Sequence, residues 1–371
     1  MMRLAFRNLF HSRARLIISV GGVALALMLI LALDAILTGV EARVSAYIDR
    51  SGADVFVSQK DVRNMHMAAS SIPEAVIDEV ARVAGVRSAS PVLYVTNVVE
   101  SGEEQGLVYV IGLPRDASVG VPWKVLEGQP LPSAGEVIVD RGVAEQLGVE
   151  LGSEVKVLGR PFRVAGLSGE TASLTNSIAF ISMEDFRQAL GTAGVVSFVL
   201  VNVRPGEDAR RVAQRIETEV AGVTAQTAEE FARQERVVIR DMSTDLVTIM
   251  NLIGLLIGLA VMSLTVYTAT LSRLAEFGVL KAVGARSVHL YRAVLAQALF
   301  SIVFGLVIGV GFTLLLSLAA PGLGSNLYLQ VSGESLLKVS VAALVIAGIS
   351  AVLPVRQIAG LDPAIVFRRA K

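Results

Sequence analysis

The sequence predicts an α-helical membrane protein: four transmembrane helices, with one large α+β extracytoplasmic domain between the first two. Three observations carry this reading. Four apolar runs, Leu16–Leu33, Leu246–Leu271, Ala293–Ala320 and Ser335–Val355, match the ~20 residues with which a helix crosses a bilayer. The long stretch between the first two runs alternates strand and helix patterns like a water-soluble domain. Basic residues gather in three short segments that share one side of the membrane.

Residues 1–15 carry Arg3, Arg7, Arg13 and Arg15 and no acid, with Leu4, Phe6, Leu9 and Phe10 among them. They read as an amphipathic helix on the cytoplasmic membrane surface. The uncharged run that follows is longer than a usual signal-peptide core, and no clean A-x-A site succeeds it. It is expected to be a retained span, with Asp34 at its outer end in interfacial water, where a charge costs little. Helical patterning continues to Arg50 and stops at Ser51-Gly52, so helix 1 with its extracytoplasmic extension occupies 16–50. The same happens before span 2. Thr227-Ala-Glu-Glu230 has the form of a capping box, and the pattern runs from it without Pro or Gly into the membrane, giving 227–271. The two extensions predict a stalk.

Residues 51–226 form the soluble domain. Asp54–Ser58 (strand), Pro73–Val83 (helix, Pro in its first turn) and Val86–Val99 (strand) make one β-α-β unit. Ser197–Val203, Gly206–Val220 and Val223–Gln226 make a second, so the pattern predicts a split βαβ layer. The insertion between them, residues 102–191, is richer in Gly and Pro and reads mostly as short strands.

Lys and Arg of short loops mark the cytoplasmic side. Segments 1–15, 272–292 and 356–371 hold 12 of the 33 basic residues and 2 of the 33 acidic ones. The remainder holds 21 basic and 31 acidic residues. Both termini and the 272–292 loop are therefore expected in the cytoplasm of a multi-pass protein.

That loop contains Arg273 to Arg286, R-L-A-E-F-G-V-L-K-A-V-G-A-R. Leu274, Phe277, Leu280 and Val283 recur at helical spacing, with Arg273, Glu276 and Lys281 elsewhere on the surface. Gly284 is placed for a left-handed C-cap and Ser287 for capping the next helix. Amphipathicity alone would also suit an interfacial anchor. The E-F-G-V-L-K-A-V-G-A run, however, resembles the coupling segment of FtsX/MacB-type ABC transporter permeases (the LolC and DevC kind), R-E-I-G-V-L-R-A-L-G-A, departing at Phe277, Lys281 and Val283. The closing Pro354-Val-Arg356 and Leu361-Asp-Pro363 resemble the end of that family. Gly135–Gly148 with Leu151–Val155 is similar to the sabre subdomain of MacB-type members.

The resemblance implies a permease that binds no nucleotide or other cofactor itself. ATP would be bound by a separate ABC ATPase subunit, docked on Arg273, Glu276, Phe277, Leu280, Lys281, Val283 and Gly284. It further implies a second permease copy or homologous permease, a bacterial cytoplasmic (inner) membrane location, and mechanotransmission: ATP-driven strokes delivered to the external domain for export or extraction of a substrate. It leaves open a periplasmic adaptor or lipoprotein as a further partner. The alternative within the resemblance is an FtsX-like regulator that activates a cell-wall hydrolase and transports nothing. A sensory receptor is disfavoured, because the inside segments are too short for an output module.

The residues themselves point away from catalysis. There is no cysteine, and the three histidines His11, His66 and His289 are scattered, which removes thiol chemistry and leaves no multi-His metal set. No G-x-x-x-x-G-K-S/T phosphate loop or G-x-S-x-G elbow occurs. Leu167-Ser-Gly-Glu170 reads as a turn. Met65-His66-Met67 would make a poor soft-metal site, and a flexible loop is the expected role. Gly254 with Gly258, and Gly305 with Gly309, form small-x-x-x-small faces for helix packing against lipid-embedded neighbours. No span carries a charge near its middle, and nothing supports nucleic-acid binding.

Overall fold

The computed structural model describes residues 13–171, 177–283, 286–320 and 329–359. Residues 1–12 of the surface helix expected over 1–15, Pro321-Gly322 with most of the following loop, Gly284, and Leu361-Asp-Pro363 lie outside the described residues, and residues 13–15 begin the first long helix. The chain forms two compact units, one spanning Val40–Met242 and the other the remainder.

Helix α1 (Arg13–Val44) is followed, after a break at Ser45, by α2 (Ala46–Arg50). The stop falls at the predicted Ser51-Gly52: Ser51 Oγ donates to the Ile48 carbonyl at 2.9 Å and Gly52 takes φ 75°. The sheet unit continues with β1 (Val55–Gln59), β2 (Ile72–Pro73), α3 (Ala75–Arg82), β3 (Val86–Ser101), β4 (Glu104–Leu113), β5 (Val125–Gly128) and β6 (Glu136–Asp140). Then come α4 (Arg141–Leu147), β7 (Glu154–Val157), β8 (Arg160–Ser168), β9 (Ser177–Ser182), α5 (Met183–Leu190), β10 (Val195–Val196), β11 (Phe198–Val203), α6 (Ala209–Glu219) and β12 (Val223–Thr227).

Strands β12, β1, β11 and β3 lie side by side in that order, each antiparallel to its neighbour, as two interleaved β-α-β units require. Strand alternation decides which side chains meet which layer. Val55, Val57, Val199 and Val201 face α3 and α6, packing on Val80, Val212 and Ile216. Phe56, Phe198 and Leu200 point the other way, and Phe56 stacks on Phe231 with centroids 5.1 Å apart. Both faces are buried, which is why these strands are nearly continuous in apolar residues.

The insertion is not a separate sheet. Strand β3 pairs with β11 up to Val92, then with β4 from Leu93 to Ser101, so one long strand serves both halves of a ten-stranded sheet. Residue 102, where the insertion was expected to begin, is a hairpin tip: Gly102 supplies φ 61° at the first turn position. One core joins Phe56, Phe198 and Leu200 to Ile111, Ile138 and Phe180 across the two halves. The insertion also holds two helices that its composition hid. Helix α4 is capped by Asp140 and α5 by Ser182, and left-handed Gly148 and Gly191 close them. At seven and eight residues they are too short to show a helical period clearly. Pro73 is likewise outside its expected helix: it pairs with Val195 in β2, and α3 begins two residues later.

The remaining helices are α7 (Ala228–Leu271), α8 (Leu274–Ala282), α9 (Ser287–Ala319), α10 (Gly333–Ser350) and α11 (Val352–Ala359). Four helical stretches, in α1, α7, α9 and α10 with α11, are long and apolar enough to cross a membrane. Among them α1 is the most enclosed. Its Val23, Leu27 and Leu31 pack with Met262 and Val266 of α7, Val294 and Ile302 of α9, and Ile346 of α10. Asp34 departs from its expected place in interfacial water. It is 7% exposed and paired with Lys338 of α10 at 3.3 Å, while Lys338 also reaches Glu334 at 3.1 Å. A neighbouring helix thus supplies the countercharge that water was expected to screen.

All four predicted packing glycines face other helices of the unit. A Cβ on Gly254 would lie 2.9 Å from Ile30 Cγ1, on Gly258 2.8 Å from Ile346 Cδ1, and on Gly305 2.8 Å from Val23 Cγ1. On Gly309 it would lie 2.9 Å from the Ala24 carbonyl oxygen, a backbone atom that cannot rotate away. Gly309→Ala is therefore expected to destabilise the helical unit by about 1–3 kcal/mol. Gly254→Ala crowds the Ile30 side chain, with the nearest backbone atom at an ordinary 3.7 Å, and should cost less. Thermal unfolding of both full-length variants in detergent gives the comparison; equal losses would show that backbone proximity is not what the α1–α9 contact requires.

Candidate coupling site

Helix α8 starts after a turn at Ser272-Arg273, where the Arg273 N–H donates to the Thr270 carbonyl at 3.1 Å. It ends with the Val283 N–H donating to the Val279 carbonyl at 3.0 Å. Gly284, the expected cap, is outside the described residues. The N-cap position of the following helix is held by Arg286 in extended backbone, without a side-chain capping bond, with Ser287, expected as its cap, as the first helical residue.

The apolar residues of α8 do not share one face. Gly278 is buried, and Phe277 is half-buried against the cluster of Leu290 and Val294 within its own helical unit. Val279 and Leu280 are 46% and 45% exposed and Val283 is 84% exposed. Glu276 is exposed, and Leu274, Arg273 and Lys281 are half-buried. Four residues expected to form a single apolar face are thus divided. Phe277 anchors α8 inward, and Leu280 and Val283 look outward together with Val279, which helical spacing from Leu274 did not select.

The two helices that lead into and out of the sheet domain are tied by charge. Arg240 of α7 donates twice to the Glu41 carboxylate of α1, at 2.9 and 2.8 Å. One turn earlier Arg236 donates to Ser45 Oγ at 2.6 Å and to Asp49 at 3.0 Å. Glu41 and Ser45 are buried. Bidentate Arg–carboxylate geometry holds orientation as well as distance. The spacing of four in Glu41, Ser45 and Asp49, matched by Arg236 and Arg240, was the available sequence signal. At the start of α7 the capping box closes reciprocally: the Glu230 N–H donates to Thr227 Oγ1 at 3.2 Å, and the Thr227 N–H to Glu230 Oε2 at 3.3 Å.

Met65-His66-Met67, expected as a flexible loop, is tied by hydrogen bonds to Glu235 of α7. Met65 is buried and Met67 is 61% exposed, so the two sulfurs serve different environments. His66 Nδ1 lies 2.6 Å from Glu235 Oε2 of α7. Among the described residues no group of three or more His, Asp or Glu is placed to hold a metal ion.

A model of the MacB-like periplasmic core domain matches residues 16–219, more than half of the chain, and one of the FtsX-like permease C-terminal region matches residues 248–363. The chain belongs to the MacB- and FtsX-like family of ABC transporter permeases. Relatives include an uncharacterized ABC transporter permease of Mycobacterium tuberculosis, 23% identical over 99% of both chains. Another, from Methanocaldococcus jannaschii, is 22% identical over 98% of this chain and 96% of its own. The periplasmic region of MacB from Actinobacillus actinomycetemcomitans aligns over 50% of this chain and 92% of its own, with 12% identity and a TM-score of 0.38.

At the foot of α2 the permease carries a second charge junction. Glu170, in left-handed backbone (φ 61°), accepts from Lys124 at 2.6 Å and from Arg50 at 2.5 Å. The hydrogen bonds from Lys124 and Arg50 hold its carboxyl down at about 2, against an ordinary 4.5. A depressed carboxylate stabilises the folded state above the unfolded pKa and loses that contribution as pH falls through the folded one. Arg50 also lies 5.6 Å from the ring centre of Trp123, the sole tryptophan. Glu170→Gln is therefore expected to lower thermal stability at pH 7, with the gap to wild type closing between pH 4.5 and 2. Melting followed by Trp123 emission in the full-length permease tests this; a gap constant across that window would remove the junction from the stability of the sheet domain.

Proposed function

We propose that this permease converts ATP hydrolysis by a separate, docked ATPase subunit into work outside the membrane. The observation that carries the reading is the exposed apolar surface of Val279, Leu280 and Val283 on a short helix joining two spans. An apolar cluster of this kind, flanked by Glu276, suits a partner's groove, as helix-in-groove recognition requires. The positive-inside pattern supports a cytoplasmic position for this helix and for both termini, and an extracytoplasmic one for the sheet domain. Helix α7 is continuous from Ala228 to Leu271, so it belongs to both units and can carry displacement from one to the other. The absence of charge near the middle of the described spans favours transmission of force over a solute path. Assembly with a second permease copy, and export or extraction of a substrate, follow from the same reading.

Docking residues and anchoring residues should separate under mutation. Leu280→Ala and Val283→Ala are each expected to weaken ATPase association about tenfold, ~1.4 kcal/mol, at normal permease abundance. Phe277→Ala should instead lower abundance and thermal stability, because it empties a contact inside the helical unit. The measurement is co-purification in mild detergent of the ATPase that accompanies the wild-type chain. Full retention by both Leu280→Ala and Val283→Ala, or no ATPase with the wild type, would defeat the docking assignment. A cell-wall hydrolase recovered in place of a transport partner would favour the regulator.

A further inference from the structure

We propose that Glu235 and His66 form the joint through which α7 moves the second half of the sheet; this rests on the force-transmitting function proposed above. Glu235 belongs to α7, yet it is 1% exposed and its carboxylate accepts hydrogen bonds from the segment after β1. Its Oε1 accepts from the Met65 N–H and, at 3.3 Å, from the His66 N–H, while its Oε2 faces His66 Nδ1 at 2.6 Å. A carboxylate oxygen can only accept, which places a ring hydrogen on Nδ1. Three donors converging on one buried carboxylate make a stiff connection, because separating them would strand a charged group away from water.

The imidazole passes the connection on. Its ring packs 4.4 Å from Tyr109 of β4 and 5.9 Å from Tyr94 of β3, centre to centre. Tyr94 stands two residues beyond Val92, where β3 ends its pairing with β11, and its partner in β4 is Ile111. His66 therefore bears on the place where the sheet changes from its first half to its second. On the first half α7 packs Phe231 against Phe56 and Phe198, and Ala228 and Ala232 join the same cluster. Glu235 and His66 are positioning residues: they bind no substrate, and they fix where a displacement of α7 is delivered.

The test uses the full-length permease with its co-purified ATPase in lipid nanodiscs. The chain has no cysteine, so Glu145→Cys on α4 and Glu219→Cys on α6, both exposed, accept spin labels cleanly, one in each half of the sheet. The distance distribution between them is expected to shift between nucleotide-free and ATP–vanadate states. His66→Ala and Glu235→Gln should abolish that shift while ATP hydrolysis and ATPase association continue. His66→Asn, whose side-chain amide can donate from near the Nδ1 position, should restore it. Glu235→Gln preserves shape and decides the matter if His66→Ala does not fold. A shift of wild-type size in the folded variants would overturn the joint and leave force transmission standing. No shift in the wild type would overturn force transmission to the sheet, and the joint with it.

Discussion

Close approach of helix backbones is the constraint on which the membrane unit depends. Lipid gives apolar side chains no reason to prefer protein neighbours, so helices associate where small residues let their surfaces fit. In this permease the fit is made on α1. Gly305 and Gly309 bring α9 against Val23 and Ala24, and Gly254 and Gly258 bring α7 against Ala26 and Ile30. Each replaces a side chain by contact with a neighbouring helix. The Asp34–Lys338 pair adds a charged link between α1 and α10.

Within the sheet domain the corresponding element is β3. A strand of sixteen residues pairs with one neighbour along its first part and another along its second. Two halves built on one strand share a core, and Phe56, Phe198, Ile111 and Phe180 lie in it together. Covalent continuity and a common core join what a sequence reading divides.

Polar contacts occupy the places where apolar packing would leave helices free to slide. Arg236 and Arg240 hold α7 to α1 and α2, Glu235 holds it to the segment after β1, and Glu170 holds α2 to Lys124. Each joins groups far apart in sequence and has directional geometry. In the proposed mechanism these contacts define where movement of α7 is taken up, and the exposed Val279, Leu280 and Val283 define where it begins.

Patterns with a fixed period were readable from the chain alone. Long apolar runs identify four helices able to span a membrane, the Thr227–Glu230 spacing identifies the start of α7, and short runs rich in β-branched residues in Asp54–Ser58 and Ser197–Val203 identify strands, because each depends on neighbours a few residues away. The run Glu276–Ala285 carried the family resemblance for the same reason. What tertiary structure decided is pairing at long range. Helical spacing placed Leu274, Phe277, Leu280 and Val283 together, and only the packing of Phe277 against the buried cluster of the helical unit separates the inward residues from the outward ones. Asp34 was legible as a charge at a helix end; that Lys338, some three hundred residues later, neutralises it was not. Met65-His66-Met67 looked like an unattached loop because Glu235, its partner, belongs to another element. A local pattern determines which surfaces a segment has. Which surface is covered depends on a partner chosen by the whole chain.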